Sequence, residues 1–209
     1  MIFQLKHPFT CLISGPTQSG KTQFTLNLLK NIKKLVEPCP AKIVWCFGAE
    51  QEKVNKTIAD GVVVVEGLDA GVQEVDGLQP TLLILDDLMQ EAGDAKEVGE
   101  LFTRGSHHRN LSIIMIVQNV FHQGKIMRTA SLNAHYMILF KNPRDAGQIR
   151  CLANQLFPGR SSFLVDAYKQ ATTPAHGYLV LDLKQSTPEK YRVLSHILPE
   201  QEGYYYLPK

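Results

Sequence analysis

The 209-residue sequence lacks the features that mark secreted, zinc-binding and membrane-spanning proteins. Its four cysteines are scattered and none forms a C-x-x-C pair, so neither a disulfide framework nor a cysteine-based zinc site is expected. No segment reaches the roughly 18 apolar residues needed to cross a bilayer. The N-terminus meets Lys6, His7 and Pro8 before an apolar run can develop, which argues against a secretory signal. We therefore expect a soluble protein in a reducing, intracellular compartment.

The sequence also lacks an excess of charge of one sign. It has 22 basic and 20 acidic residues and a formal net charge of +2, which neither indicates nor excludes nucleic acid as a partner. It contains no internal repeat and no low-complexity tract. With 44% hydrophobic residues, the chain is long enough for one α/β domain with a substantial core. We assign residues 1–185 to this domain and residues 186–209 to a C-terminal tail.

The sequence does contain a complete phosphate-binding pattern, G-x-x-x-x-G-K-[ST], in residues 15–22. Gly15 and Gly20 allow positive φ angles and a close approach of backbone N–H groups to phosphates. Lys21 would reach the β and γ phosphates, and the Thr22 hydroxyl would bind Mg²⁺. An apolar run precedes the pattern and a helix-like stretch follows it, which is the context that such a loop requires. We predict a nucleoside triphosphate site formed by Gly15, Pro16, Thr17, Gln18, Ser19, Gly20, Lys21, Thr22 and Gln23.

Strand-like and helix-like segments alternate along the chain, which predicts a doubly wound, mostly parallel α/β sheet. Behind the phosphate loop, apolar residues recur at steps of four, four and three from Phe24 to Leu35, so one face of a helix can pack on the sheet. Residues 69–80 are interpreted as a polar connection. The predicted strands are 9–14, 42–47, 62–65, 81–86, 111–117, 135–140 and 178–183, and the further predicted helices are 51–58, 91–107, 146–156 and 161–170.

The predicted strand 81–86 delivers two carboxylates at its carboxyl end, in the form of a Walker B element. Ligands of parallel sheets bind beyond the carboxyl ends of the strands, where Asp86 and Thr22 could share one Mg²⁺. Asp87 could orient the attacking water and accept its proton, although hydrolases of this class more often have glutamate there. The alternative for Asp87 is a helix N-cap, because aspartate is a preferred cap residue.

The predicted strand 111–117 ends in a polar pair, Gln118 and Asn119. A side-chain amide at this edge of the sheet could sense the γ-phosphate or hold the attacking water. Polar residues also end strands without any function, so this pair alone leaves both interpretations open.

The densest basic cluster in the sequence lies between the acidic pair and that strand, in residues 102–110. It contains Arg104 and Arg109, whose guanidinium groups offer a rigid and always charged fork for phosphate. An arginine supplied by a neighbouring subunit can contribute on the order of 10³ to 10⁵ in rate. The alternative is a solvated loop. His107 and His108 are adjacent and would diverge on a helix or strand, so we interpret them as loop residues or weak phosphate contacts rather than metal ligands.

The sequence resembles the viral genome-packaging ATPases of the HerA-FtsK superfamily in three segments. These are residues 15–22, residues 83–87 (Leu-Ile-Leu-Asp-Asp) and, above all, residues 103–119. The nearest likeness is to the versions in Polintons (Mavericks), adintoviruses and related double-stranded DNA viruses. Residues 131–145 also look like that group. The resemblance covers roughly residues 8–183, and the segment after it lies outside.

The resemblance implies a three-layer P-loop NTPase fold of the RecA-like ASCE type with a mostly parallel central sheet. The strand ending at Gln118 would lie between the strands that carry the phosphate loop and the acids, and Gln118 would sense the γ-phosphate. Subunits would form a ring in which Arg104 or Arg109 acts in trans on the ATP of the neighbour. Lys125 and Arg128 are then candidates for a DNA-facing channel or for a second arginine finger.

The implied function is an ATP-driven translocase that packages double-stranded DNA into a viral capsid by Mg²⁺-dependent ATP hydrolysis at the subunit interfaces of the ring. DNA would be contacted at its phosphates, independently of sequence. The further implied partners are other copies of the chain and a capsid or portal-vertex protein. The implied location is the infected host cell, in its nucleus or cytoplasm, or the virion.

Two other functions are built on the same phosphate loop. A small-molecule or nucleotide kinase would need an acceptor pocket and usually a mobile lid with an arginine, whereas the arginine cluster here directly precedes a core strand. A GTP-dependent switch is disfavoured because residues 55–58 lack the aspartate of the N-K-x-D pattern and no D-x-x-G follows the predicted Walker B strand. The tail adds Tyr204, Tyr205 and Tyr206, which could dock on the domain, bind a capsid or a neighbouring subunit, or be disordered.

Overall fold

The computed structural model describes residues 3–48, 61–88, 98–102, 110–120, 125–144 and 146–208. The strands in these residues form one large sheet and one small sheet. In chain order they are β1 (Leu5–Lys6), β2 (Thr10–Ser14), β3 (Val36–Glu37), β4 (Lys42–Phe47), β5 (Val62–Glu66), β6 (Thr81–Asp86), β7 (Leu111–Val117), β8 (Tyr136–Phe140), β9 (Tyr178–Asp182), β10 (Val193–Ser195) and β11 (Tyr204–Tyr205). The helices are α1 (Lys21–Lys30), α2 (Ile32–Leu35), α3 (Leu68–Gln73), α4 (Lys125–Leu132), α5 (Ala146–Leu156) and α6 (Ser161–Ala171), with a 3₁₀ turn at Glu189–Tyr191.

The large sheet combines a parallel and an antiparallel part. Its nine strands in the described residues follow the order β11-β10-β9-β8-β2-β7-β6-β4-β5. The neighbours from β8 to β5 pair in parallel, whereas β9, β10 and β11 are antiparallel to their neighbours. The small sheet is the parallel pair of β1 and β3. The predicted α/β fold with a mostly parallel sheet is therefore confirmed, and its antiparallel extension is an addition to the prediction.

Helices cover both faces of the large sheet. Because successive residues of a strand point to opposite faces, Leu12 of β2 packs in one apolar cluster, and Cys11 and Ile13 pack in the other. Helix α1 packs in the second cluster, and helices α5 and α6 pack in the first. Every residue of β2, β6 and β7 is buried, which explains why these segments are apolar without alternation. The architecture has the three layers that the resemblance implied.

Strand β7 lies between β2 and β6, as the resemblance implied for the strand that ends at Gln118. Ser14 at the end of β2 pairs with Val117, and Asp86 at the end of β6 pairs with Ile116. The carboxyl ends of the three strands therefore lie at one edge of the sheet. The phosphate loop, the acidic pair and Gln118 all begin at this edge.

The segment assigned to a tail contributes to the large sheet. Strand β10 pairs with β9, and β11 pairs with β10. Leu194, Ile197 and Leu198 are buried, and the Tyr206 N–H donates to the Val193 carbonyl at 2.8 Å. Of the three alternatives for the terminal tyrosines, the structure shows docking on the domain.

Two local differences have identifiable causes. The helix expected to run to Leu35 is interrupted at Asn31, whose side-chain amide donates to the Asn27 carbonyl at 3.1 Å and so competes with the helical backbone. Helix α3 occupies part of the predicted polar connection. A side chain at Gly71 would collide with the Cys46 sulfur, so this glycine permits close packing of helix on sheet.

Some of the remaining predicted strands and helices fall within the described residues, and others fall outside them. The strands within 62–66, 136–140 and 178–182 and the helices at 146–156 and 161–171 confirm their predictions to within a residue or two. The predicted helix 51–58 lies outside the described residues, as does most of the predicted helix 91–107, of which residues 98–102 are described and helical. Within the described part of the chain, no helix combines the length and apolar character of a membrane span.

Candidate nucleotide-binding site

The phosphate loop connects β2 to α1, the context that the pattern predicts. The Gly15 N–H donates to the Val117 carbonyl at 3.3 Å, and the Ser19 N–H donates to the Pro16 carbonyl at 3.2 Å, which closes the turn. Gly20 has a φ of 107°, as expected for a glycine at this position. The prediction of a positive φ at Gly15 is wrong. Gly15 is required for space instead, because a Cβ there would lie 2.7 Å from the Phe140 Cβ and from the Ser19 Oγ.

The rest of the loop turns toward solvent. Thr17 and Gln18 are exposed, and Gln18 takes a positive φ of 64°, an uncommon conformation for a residue with a side chain. Thr22 is half-buried in the first turn of α1. Gln23 is exposed and donates to the Asn27 Oδ1 at 3.2 Å, so the structure directs its side chain along the helix.

Lys21 lies at the centre of the loop. Its ammonium donates to the carbonyl oxygens of Gly15 at 2.6 Å and Pro16 at 2.9 Å. Burial lowers the pKa of Lys21, and the nearby carboxylates of Asp86 and Asp87 oppose that shift. Lys21, predicted to bind phosphate, is therefore an electrostatic neighbour of Asp86, predicted to bind the metal, and of Asp87, predicted to accept the proton of the water.

Asp86 is a carboxylate at the end of β6 that is only 3% exposed. Its Oδ2 has no hydrogen-bond partner among the described residues, and neither has the buried Trp45 Nε1 on the adjacent strand β4. Burial first and the charge of Asp87 second raise the pKa of Asp86 to about 6, against the opposing charge of Lys21. The Trp45 N–H also lowers this pKa, although its geometry falls short of a hydrogen bond.

An unpartnered buried carboxylate oxygen fits the binding of a divalent cation. Mg²⁺ prefers oxygen ligands and is commonly held by one or two carboxylates together with substrate phosphates. The donor set at this edge is of that kind: the Asp86 Oδ2 has no hydrogen-bond partner among the described residues, and Thr22 supplies a hydroxyl in the first turn of α1. Asp86 and Thr22 are therefore the residues that would hold such an ion.

Asp87 and Gln118 contact each other across the strand ends. The Gln118 Nε2 donates to the Asp87 Oδ2 at 3.4 Å, a long hydrogen bond. Asp87 has a φ of 55°, and its N–H is 3.4 Å from the Ile116 carbonyl of β7. This left-handed conformation turns the chain at the end of β6. The alternative that Asp87 caps a helix concerns residues 89–97, which lie outside the described residues.

The structure adds two residues that sequence reasoning missed. His176, in the turn before β9, has its Nδ1 3.1 Å from the Ser19 carbonyl oxygen of the phosphate loop. Trp45 lies beside Asp86, as described above. Neither residue has a sequence signal, because each reaches the site through tertiary packing from another part of the chain.

Other predicted residues are not placed at this site. Arg104 and Arg109 lie outside the described residues. Lys125 begins helix α4, and its side chain is also outside the described set. Arg128 is exposed on the same helix. These four residues remain predictions.

The described edge of the sheet therefore brings together one ammonium, two carboxylates and one amide: Lys21, Asp86, Asp87 and Gln118. Cationic and N–H groups can bind a polyphosphate, and a carboxylate beside them can bind a cation or accept a proton. This combination of groups is suited to transfer of a phosphoryl group to water.

Neither a family model nor a curated protein sequence matches the chain. A similar solved structure is the genome packaging NTPase B204 from Sulfolobus turreted icosahedral virus 2 in complex with ATP-gammaS. It is 13% identical, covers 96% of this chain and 97% of its own, and has a TM-score of 0.51. At this identity the likeness shows a common fold.

Two further structures cover less of the chain. The cytoplasmic domain of EssC is 18% identical and covers 64% of this chain and 32% of its own, with a TM-score of 0.49. EssC (ATPases 2 and 3) from Geobacillus thermodenitrificans is 17% identical and covers 65% and 30%, with a TM-score of 0.47. The chain thus spans about a third of the length of these two proteins, and their TM-scores are too low to support an inference.

Proposed function

We propose that this chain is the ATP-hydrolysing subunit of a motor that translocates double-stranded DNA into a viral capsid. The observation that carries the proposal is the strand order β2-β7-β6, which gathers Lys21, Asp86, Asp87 and Gln118 at one edge of the sheet. This order also supports the ASCE-type assignment. Further support comes from the fold likeness to B204, a genome packaging NTPase in complex with ATP-gammaS, over nearly the full length of both chains.

In the proposed binding step, residues 15–23 wrap the triphosphate of ATP. Lys21 exchanges the carbonyl oxygens of Gly15 and Pro16 for the β and γ phosphates, which are stronger partners because they are charged. Thr22 and Asp86 would hold Mg²⁺, and the ion would supply positive charge against the charge that develops on the phosphates. The Asp86 Oδ2, which has no hydrogen-bond partner among the described residues, would then be a ligand of the cation.

In the proposed chemical step, Asp87 is the base. The oxygen of a water molecule bonds to the γ-phosphorus as the bond to the bridging β–γ oxygen breaks, and the Asp87 carboxylate accepts the proton of the water. Gln118 contacts Asp87 and extends from the neighbouring strand, so it can orient the water and respond to the γ-phosphate. Loss of that phosphate would then change what Gln118 contacts, as the proposed role of a sensor requires.

The proposed arginine finger acts on the nucleotide of a neighbouring subunit. Asn110 precedes β7 and lies at the amino edge of the sheet, where its carbonyl accepts the Thr81 N–H at 3.1 Å. With the seven residues of β7 between them, Asn110 and Gln118 are eight residue steps apart, or about 26 Å at 3.3 Å per residue. Arg109 is next to Asn110 in the sequence, and both Arg109 and Arg104 lie outside the described residues. The resemblance of residues 103–119 to the packaging ATPases supports action in trans by Arg109 or by Arg104 in a homo-oligomeric ring.

DNA is proposed to bind through phosphates, with Lys125 and Arg128 as candidate contacts. Arg128 is exposed, as such a role requires. Affinity would then fall steeply as salt rises and would depend little on sequence. A capsid or portal-vertex protein is the proposed docking partner, and the infected host cell or the virion is the proposed location.

The test is the rate of ATP hydrolysis with and without duplex DNA. We expect stimulation by DNA in the parent protein and loss of hydrolysis in Lys21→Ala, Asp87→Asn and Gln118→Ala. Lys30→Ala is the matched control, because Lys30 is an exposed lysine at the other end of the same helix. A monomeric protein whose hydrolysis ignores DNA would refute the motor.

Mixed oligomers test action in trans. Arg104→Ala or Arg109→Ala subunits that lack activity alone should regain it when combined with Lys21→Ala subunits, because each mutant supplies what the other lacks. Absence of rescue for both arginines would contradict the ring mechanism. Transfer of labelled γ-phosphate to a nucleoside monophosphate would favour the kinase instead, and competition by GTP but not ATP would favour the switch.

A further inference from the structure

A tight turn connects helix α6 to strand β9 and ends beside the phosphate loop. The Gly177 N–H donates to the Pro174 carbonyl at 3.0 Å. A Cβ at Gly177 would collide with the Ala171 carbonyl oxygen, so only glycine fits there. His176, the preceding residue, has a φ of 59°, an uncommon angle for a residue with a side chain. The turn therefore holds His176 in a conformation that the residue alone does not favour.

The His176 ring contacts the loop at the peptide between Ser19 and Gly20. Its Nδ1 lies 3.1 Å from the Ser19 carbonyl oxygen. Since a carbonyl oxygen only accepts hydrogen bonds, the Nδ1 must carry the proton and donate it. A Cβ at Gly20 would lie 3.1 Å from the His176 Cβ and Nδ1, so the ring also packs on this glycine.

The turn and the phosphate loop rest on the same aromatic cluster. Tyr178, the first residue of β9, has its ring 4.7 Å from that of Phe24 in α1 and 5.6 Å from that of Phe140 in β8. Phe140 is also the residue that a side chain at Gly15 would meet. Tyr178, two residues after His176, is thus packed against residues at both ends of the loop.

We propose that His176 is a positioning residue of the phosphate loop. A trans peptide is rigid and planar, and its C=O and N–H point in opposite directions. By holding the Ser19 carbonyl, His176 orients the Gly20 N–H away from itself, so that this donor is pre-oriented in the turn that receives the phosphates. The inference rests on the proposed nucleotide binding and adds a residue to it.

The expected effect is on affinity rather than on chemistry. Without the His176 hydrogen bond, the free loop samples other conformations, and nucleotide binding must select the competent one. Substrate and transition state use the loop equally, so the Michaelis constant should rise while kcat stays unchanged. One neutral hydrogen bond corresponds to a change of about three- to tenfold.

Three substitutions separate the contributions of His176. His176→Asn keeps a side-chain donor and tolerates the positive φ, whereas His176→Phe keeps a ring without a donor. His176→Gly relaxes the backbone and also lacks a donor. The measurements are the dissociation constant of a fluorescent ATP analogue, the Michaelis constant and kcat for ATP. We expect about three- to tenfold weaker binding for Phe and Gly, and binding within about twofold of the parent for Asn.

Hydrogen exchange at the loop amides of residues 19–22 tests the same inference without nucleotide. We expect faster exchange in the Phe and Gly variants than in the parent and the Asn variant, with unchanged exchange in the core strand β7. Equal exchange in all four proteins, or an Asn variant as weak as the Phe variant, would overturn the role of His176. A Lys21→Ala protein that binds the analogue as well as the parent would instead overturn the proposed function.

Discussion

At the carboxyl edge of the parallel sheet, buried polar atoms lack hydrogen-bond partners within the described part of the chain, whereas at the amino edge such groups are paired. The unpaired atoms are Asp86 Oδ2, Trp45 Nε1 and Ser19 Oγ, and all three lie in or next to the candidate nucleotide site. Two residues with side chains at this edge, Gln18 and Asp87, also take positive φ angles. This edge therefore combines unpaired buried groups with uncommon backbone conformations.

The amino edge contains a continuous hydrogen-bonded chain. The buried Ser112 Oγ accepts the Phe9 N–H at 3.1 Å and donates to the His7 Nδ1 at 2.6 Å. The His7 Nε2 then donates to the Asn110 Oδ1 at 2.8 Å. Asn110 also takes a positive φ, of 49°, so the two edges differ in their unpaired buried groups rather than in backbone angles.

The polar groups of the amino edge stabilise the fold, whereas those of the carboxyl edge are available to bind a ligand. An unpaired buried polar group destabilises a fold by about 1–3 kcal/mol, so a cluster of them indicates a site whose partners come from a ligand. The amino edge has no such deficit among the groups named above. Removing a polar group at the carboxyl edge should therefore lower activity without loss of stability, whereas removing one at the amino edge should lower stability without loss of activity.

The largest expected effect comes from Asp86→Asn. The substitution removes the proposed metal ligand, so ATP hydrolysis should fall by on the order of 10³ or more. The same substitution removes a buried charge and should stabilise the nucleotide-free protein. A pKa raised from 3.8 to about 6 corresponds to about 3 kcal/mol at neutral pH. Urea unfolding measures the stability, and a variant less stable than the parent at pH 7 would contradict the comparison.

The pH dependence of that stability has a definite sign. The folded-state pKa of Asp86 lies above its ordinary value, so the folded protein binds this proton more tightly than the unfolded chain does. The parent should therefore lose stability from Asp86 as pH rises from about 4 to about 6. The difference between Asp86→Asn and the parent should be small at pH 4 and constant above about pH 7. A difference that is independent of pH would show that Asp86 is not the responsible group.

The residues of the carboxyl edge show what sequence could and could not predict. The phosphate loop, Asp86 and Gln118 follow buried parallel strands, which are recognisable as continuous apolar runs with polar residues at their ends. Trp45 and His176 reach the site from other segments, and no local pattern marks them. Their roles depend on the pairing of β4 with β6 and on the turn before β9.

The antiparallel part of the sheet could not be predicted from the sequence, for a different reason. Strands β10 and β11 have three and two residues, too few for an alternation of buried and exposed positions to be recognised. Their pairing is fixed by tertiary contacts, such as Leu194 opposite Val180 of β9. The direction of β9 likewise follows from packing and not from its composition.

At the amino edge, the informative substitution is Ser112→Ala. It leaves the Phe9 N–H and the His7 ring without their shared partner, so stability should fall by about 2 kcal/mol. The kcat per folded molecule should stay unchanged, because Ser112 lies at the opposite end of β7 from Gln118. Ser131→Ala is the control, since Ser131 only donates to the Arg128 carbonyl on an exposed helix face. If Ser112→Ala lowered kcat and left stability normal, the amino edge would serve activity as the carboxyl edge does, and the two edges would not differ in role.

The smallest expected effect is spectroscopic. Trp45 is the single tryptophan of the chain, and its indole N–H lies beside the Asp86 carboxyl. Ionisation of that carboxyl changes the charge next to the fluorophore, so the emission of the nucleotide-free protein should titrate with a midpoint near pH 6. The transition should be absent in Asp86→Asn and present in Asp69→Asn, a control acid in helix α3. A midpoint near 4 in the parent would mean that Asp86 is solvated, and the unpaired groups of the carboxyl edge would then need water rather than a ligand as their partner.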